Sequence, residues 1–120
     1  MTPTSGYVGA WSFAFVVTCV FELAIVLPLL RTSGTSLRRL ASICVIANLT
    51  THPLVWFVFP FLGLPPLLAL ALSELWAFGI EVWVYHVTLT TPSVGRCAAT
   101  SLAANTASAL GYAALTHALS

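Results

Sequence analysis

The sequence predicts an all-α membrane protein: a single domain over residues 1–120, folded as an antiparallel four-helix transmembrane bundle with both termini on the outer side. Three observations carry that expectation. The chain has 120 residues, 59% of them hydrophobic and only 6% charged, with a mean hydropathy of +1.00. Soluble domains carry about 25% charged residues, so this composition points to the bilayer as solvent. Four stretches come close to the roughly 20 apolar residues that carry a helix across the hydrocarbon core. Finally, the charges are sorted by position. All three acids, Glu22, Glu74 and Glu81, fall inside these stretches, and all four arginines, Arg31, Arg38, Arg39 and Arg96, fall at their edges.

The first expected span covers residues 8–30. It lacks a basic leading region and its apolar run is long for a secretory leader, so it reads as a retained span. It carries Glu22 and ends at Arg31. The turn residues Thr32, Ser33, Gly34, Thr35 and Ser36 follow. The second span, residues 40–61, carries Asn48, His52 and Pro53. Proline cannot donate to the carbonyl of Leu49 and is expected to kink this helix, freeing a carbonyl within a turn of Asn48 and His52. After Gly63, Pro65 and Pro66 comes the third span, residues 67–89, with Glu74 and Glu81. After Pro92 and Gly95 comes the fourth, residues 96–119. It is the least apolar, being mostly Ala, Ser and Thr. Its residues Ala98, Ser101, Ala104, Asn105, Ser108 and Gly111 form a small-residue face that lets helix backbones approach closely.

Short connections imply antiparallel neighbours. Four spans then place all four arginines on one side, which the positive-inside rule makes cytoplasmic. Tyr7, Trp11, Trp56 and Tyr112 fall toward the opposite interface, with Trp76 and Trp83 deeper. His86 and His117 lie near interfaces. Cys19, Cys44 and Cys97 lack metal-site spacing, and an odd number does not read as a disulfide framework.

Counting back from the arginine side at about 1.5 Å per residue, Glu22, Asn48, Glu81 and Asn105 share one depth, roughly 14 Å in. Each helix contributes one of them. His52 and Glu74 lie further out, at roughly 20 and 25 Å. Helical spacing groups Asn48 with His52, Glu74 with Glu81 and Tyr85, and Ser101 with Asn105 and Ser108, each set on one face expected to point inward. Thr18, Cys19 and Thr51 lie beside these stripes. The candidate ion- or proton-binding residues are therefore Glu22, Asn48, His52, Glu74, Glu81 and Asn105, with Thr51, Tyr85, Ser101 and Ser108 secondary. Taken alone, an Asn or Ser in a span is most often helix–helix glue. Carboxyl groups in hydrocarbon are costly and accumulate at functional sites.

The motifs N-x-x-T-H-P at Asn48–Pro53 and E-x6-E-x3-Y at Glu74, Glu81 and Tyr85 resemble those of a group of small bacterial four-span membrane proteins without an assigned activity. The resemblance implies the topology and the candidate residues, and the expected location is the bacterial inner membrane. The patterns of small multidrug transporters, fluoride channels and mercury carriers do not fit beyond a first-helix Glu, an Asn-bearing helix or isolated cysteines.

Three functions compete. The first is an intramembrane site that binds or moves protons or small cations. A metal, if one binds, would use Glu22, Glu81, His52 and Glu74, a donor set suited to Mn, Fe or Zn, although the E-x-x-H spacing of carboxylate-bridged di-metal bundles is missing. The second is a structural or assembly subunit of a larger membrane complex. The third is a membrane enzyme acting on a lipid-like substrate, with His52 and Glu74 as base and orienting partner, yet no nucleophile motif is present. The sequence specifies no cofactor. Its expected partners are the lipid bilayer and either further copies of itself or other membrane subunits. No basic patch suggests nucleic acid.

Overall fold

The computed structural model describes residues 4–32 and 34–120, so Ser33 of the first expected turn lies outside the described residues. The described chain is almost wholly helical: α1 Ser5–Leu30, α2 Leu37–Phe57, a 3-10 turn at Phe59–Phe61, α3 Pro66–Thr88 and α4 Val94–Leu119. The capping residues explain why three helices begin slightly before the apolar stretches do. The Thr4 side chain accepts from the Tyr7 amide, Ser36 from the Arg39 amide and Ser93 from the Arg96 amide. Each satisfies a backbone donor that a helix N-terminus leaves free. At its far end α2 stops at Phe57, short of residue 61, and the chain passes through the 3-10 turn containing Pro60. Gly63, at φ 70°, then takes a left-handed conformation that favours glycine and turns the chain toward α3.

Each helix packs against the next, and α4 closes the ring against α1. The helices α1 and α3 therefore occupy one diagonal of a four-helix bundle, and α2 and α4 the other. Cross-helix contacts fix the antiparallel sense. Tyr7 pairs with Trp56 and Glu22 with Asn48 across α1 and α2, while the Arg96 Nε donates to the Leu29 carbonyl at 2.6 Å where α4 begins and α1 ends. All four arginines lie at this end. The opposite end carries an aromatic cluster in which Tyr7 packs on Trp56 at 5.5 Å and Trp11 on Phe57 at 5.3 Å between ring centroids.

The bundle is polar in its middle and apolar on its outer surface. Glu22, Glu81, Asn48, Thr51, Thr100, Ser101 and Ser108 are buried, while Val16, Val20, Leu67, Leu75, Trp83, Leu102 and Leu110 are exposed. A soluble fold buries the second kind of residue and exposes the first. Among the described residues, Ser5–Leu30, Leu37–Phe61 and Pro66–Thr88 are long and apolar enough to cross a membrane. The 26-residue α4 has the length, but its Ala, Ser and Thr content makes it less apolar.

Toward the arginine end the interior becomes dry. Val26, Leu30, Leu40, Ile43, Cys44, Val84, Tyr85, Leu89 and Cys97 pack there into one apolar core. The three cysteines are free and buried. Of the small face of α4, Ser101, Ala104 and Ser108 are buried. Gly111 sits so close to the Phe21 ring that a Cβ at this position would collide with it.

Candidate functional site

Four polar side chains, one from each helix, meet in the bundle interior as two Glu–Asn pairs. Asn48 Nδ2 donates to Glu22 Oε2 at 2.7 Å, and Asn105 Nδ2 donates to Glu81 Oε2 at 2.5 Å. Glu22 is 0% exposed and Glu81 1%. Each Asn also donates to the carbonyl one turn back along its own helix, Asn48 to Cys44 at 3.0 Å and Asn105 to Ser101 at 2.8 Å. This second bond locks the rotamer that presents the amide to the neighbouring carboxyl.

The two pairs belong to a repeat that the sequence reading missed. Asn48 stands to its cap Ser36 as Asn105 stands to Ser93, and Arg39 and Arg96 occupy the same step after those caps. In the same register Ala47 matches Ala104, Cys44 matches Ser101, Thr51 matches Ser108, and each of these is buried. Glu22 on α1 likewise matches Glu81 on α3, which aligns Leu30 with Leu89, both buried. The hairpins α1–α2 and α3–α4 are thus two versions of one unit about an approximate twofold axis along the bundle. The usable signal was the self-match of S-x-x-R-x-A with a later A-N, diluted by differing residues between.

The twofold is broken at the carboxyls. Glu81 Oε2 accepts from Asn105 and from Ser101 Oγ at 3.1 Å, while Thr51 Oγ1 stands 3.5 Å from Oε1 and closer, at 3.2 Å, to the Ala47 carbonyl. Ser108, the counterpart of Thr51, gives its hydroxyl to the Asn105 carbonyl at 3.1 Å and also stands beside the Glu22 carboxyl. Glu22 Oε1 is left buried without a hydrogen-bond partner. A buried, unpaired oxygen costs about 1–3 kcal/mol, so this atom is where a proton, water or cation would gain most.

Glu22, Asn48, Glu81 and Asn105 line a cavity of about 260 Å³ together with His52, Glu74, Thr51 and Ser108. A single water needs only about 10–15 Å³ of such space. The cavity extends toward the aromatic end, where Val55 and Trp56 line both it and a second pocket of about 440 Å³ bounded by Tyr7, Phe59, Pro60 and Leu70. Thr18 Oγ1 lies 3.4 Å from His52 Nε2, while His52 Nδ1 is buried and unpaired among the rings of Trp11, Phe15 and Trp56.

Two expectations about direction need correction. Tyr85 does not join the polar track. Its side chain lies in the apolar core at the arginine end, with its hydroxyl unpaired. Glu74 lines the cavity but is also exposed, so it stands at the cavity's edge and not in the bundle interior. Helical projection explains why this is informative. At about 100° per residue, Glu74 falls between Glu81 and Tyr85 around α3, and both of those are buried. Its exposure therefore reflects a separation of α3 from α4 at this level, and not a different face of the helix. A second notch, lined by Glu74, Phe78, Leu102, Asn105, Thr106, Ala109 and Leu110, occupies that gap.

Among the described residues, no group of three or more His, Cys, Asp or Glu side chains stands close enough to hold a metal ion. The metal reading of Glu22, Glu81, His52 and Glu74 therefore lacks a ready donor set. Compared with known proteins, the chain matches no family model, no curated protein and no solved structure.

Proposed function

We propose that this chain is a small polytopic membrane protein of the bacterial inner membrane and that its interior binds and translocates protons or another small cation. The observation that carries this reading is Glu22: fully buried among the residues that line the cavity, tied to Asn48 by one oxygen, and with the other oxygen without a hydrogen bond. Intramembrane carboxyls beside His and Asn are the usual material of proton and ion pathways. In this reading all four helices span the bilayer. Ser101 and Asn105 of α4 turn inward onto Glu81, while Leu102, Leu110, Leu115 and Leu119 are exposed. The four arginines face the cytoplasm and both termini lie outside. The cavity then opens from the outer half, and the apolar core around Tyr85 closes the cytoplasmic half. Movement across the membrane requires that core to part.

The test is proton and cation flux in proteoliposomes. Glu22→Gln is expected to abolish wild-type flux, and equal flux in the two proteins would refute the reading. The pairing of Glu81 with both Ser101 and Asn105 supports a second reading, an assembly subunit whose Glu–Asn bonds set helix register. In that case the protein purifies in mild detergent with other chains, and Glu81→Gln lowers abundance without any transport to lose.

A further inference from the structure

We propose that the cavity takes an amphiphilic organic cation, admitted sideways from the bilayer through the gap between α3 and α4, with its ammonium group beside Glu22 and its apolar tail in the outer notch. The proposal deepens the cation-site reading and rests on it.

The gap is a consequence of the broken repeat. On the α1–α2 side the register places Phe15 opposite His52, and their rings meet edge to face at 5.6 Å, sealing the space between those helices. The matching positions on the α3–α4 side are Glu74 and Ala109. A methyl group replaces an imidazole, and a flexible carboxyl replaces a phenyl ring. Glu74, Asn105 and Ala109 line both the internal cavity and the outer notch, so they alone form the partition between the two. The outer notch is otherwise apolar, walled by Phe78, Leu102 and Leu110.

The cavity chemistry selects a cation. Its lining holds Glu22, Glu74 and Glu81 and no Arg or Lys. Glu22 is 0% exposed, and its unpaired Oε1 marks an acceptor without a donor. Organic rather than metallic charge fits for two reasons. No three metal-type donors converge among the described residues. The lining also includes the aromatic rings of Trp56 and Tyr112, whose centroids lie 6.4 Å apart, and such rings attract ammonium groups through their faces. Glu74 at the partition meets the cation first and is the one carboxyl exposed to the bilayer side.

The full chain in zwitterionic nanodiscs, followed by tryptophan fluorescence, tests this with dodecyltrimethylammonium, tetramethylammonium and neutral dodecyl maltoside, using empty nanodiscs as the baseline. Saturable binding of dodecyltrimethylammonium is expected, with none for the maltoside. Glu22→Gln should weaken it by about tenfold or more, the loss of one charge-assisted contact. Ala109→Phe should weaken it comparably while leaving tetramethylammonium unaffected, because only the tailed cation needs the gap. Glu74→Gln, at an exposed position that leaves every buried bond in place, guards against misfolding and should also weaken binding. Absence of saturable binding by the wild type, equal binding of the maltoside, or indifference to both Ala109→Phe and Glu74→Gln would overturn the proposal. Binding is read without transport. Proton or cation flux without amphiphile binding would refute this inference alone, and amphiphile binding without any flux would refute translocation alone.

Discussion

Glu22 and Glu81 occupy matching places in the two hairpins, yet their removal should have unequal effects. Glu81 accepts from Ser101 and Asn105, whereas Glu22 accepts from Asn48 and leaves Oε1 without a hydrogen bond. Side-chain hydrogen bonds between membrane helices are worth about 0.6 kcal/mol each on average. Replacing Glu81 by Leu therefore forfeits about 1.2 kcal/mol and replacing Glu22 by Leu about 0.6 kcal/mol. The gap of about 0.6 kcal/mol is about a threefold difference in unfolding equilibrium. The carboxyls are 0% and 1% exposed, so volume and burial effects nearly cancel in the comparison. Loss of the unpaired Oε1 widens the gap further, because Leu at position 22 relieves a buried acceptor without a donor. Reversible SDS titration of the detergent-solubilised protein, followed by far-UV circular dichroism, measures both variants. If Glu22→Leu proves as destabilising as Glu81→Leu, or more so, the asymmetric pairing does not describe the interior and the case for Glu22 as the vacant acceptor falls with it.

Gly111→Leu must push aside the Phe21 ring where α1 and α4 pack. It should destabilise by about 1–3 kcal/mol, and adding Phe21→Ala should recover most of that loss in the same titration. Tyr85→Phe removes a buried hydroxyl that makes no regular hydrogen bond and has only the Cys44 thiol beside it. Its thermal unfolding midpoint should match or exceed that of the wild type, and a clear drop would mean that the hydroxyl has a partner. Ser36→Ala and Ser93→Ala each delete the cap that accepts from an arginine amide. Each should lower stability by about 1 kcal/mol, whereas Ser42→Ala, on an exposed face, serves as the control that should not.

Much of the site was legible because helical rise turns sequence distance into depth. Arginines pinned the helix ends, and counting inward from them placed Glu22, Asn48, Glu81 and Asn105 at one level before any contact was known. Projection around the helix was less reliable. It grouped Asn48 with His52 and Glu74 with Glu81, which all line one cavity, but it also placed Tyr85 in the polar track and did not show that Glu74 is exposed at the cavity's edge. Angle alone says which way a side chain leaves its own helix. What it meets depends on how close the neighbouring helix stands at that height. Near the arginine end α3 and α4 converge and bury Tyr85 in an apolar core. Nearer the aromatic end they part beside Ala109 and leave Glu74 uncovered.

The aromatic residues show the same limit. Their composition and position fitted an interfacial belt, but Tyr7, Trp11, Trp56 and Phe57 turn partly onto one another, and Tyr7 gives its hydroxyl to the Trp56 carbonyl at 2.6 Å. Hydropathy marks where such rings sit along the bilayer normal and says nothing about whether they face lipid or each other.

By itself the sequence determined that this protein is helical and apolar-faced, that its arginines gather at one end, and that each helix carries one strongly polar residue at a common depth. Those properties follow from local chemistry: helix periodicity, chain length against membrane thickness, and the expense of charge in hydrocarbon. The tertiary structure alone decided that the four residues form two Glu–Asn pairs, that Glu81 accepts from Ser101 as well as Asn105 while Glu22 keeps an oxygen without a hydrogen bond, and that one helix gap is sealed and its counterpart open. Those properties depend on differences of a few ångströms between neighbouring helices, set by the sizes of facing side chains such as His52 and Ala109, which lie too far apart along the chain for any local pattern to register.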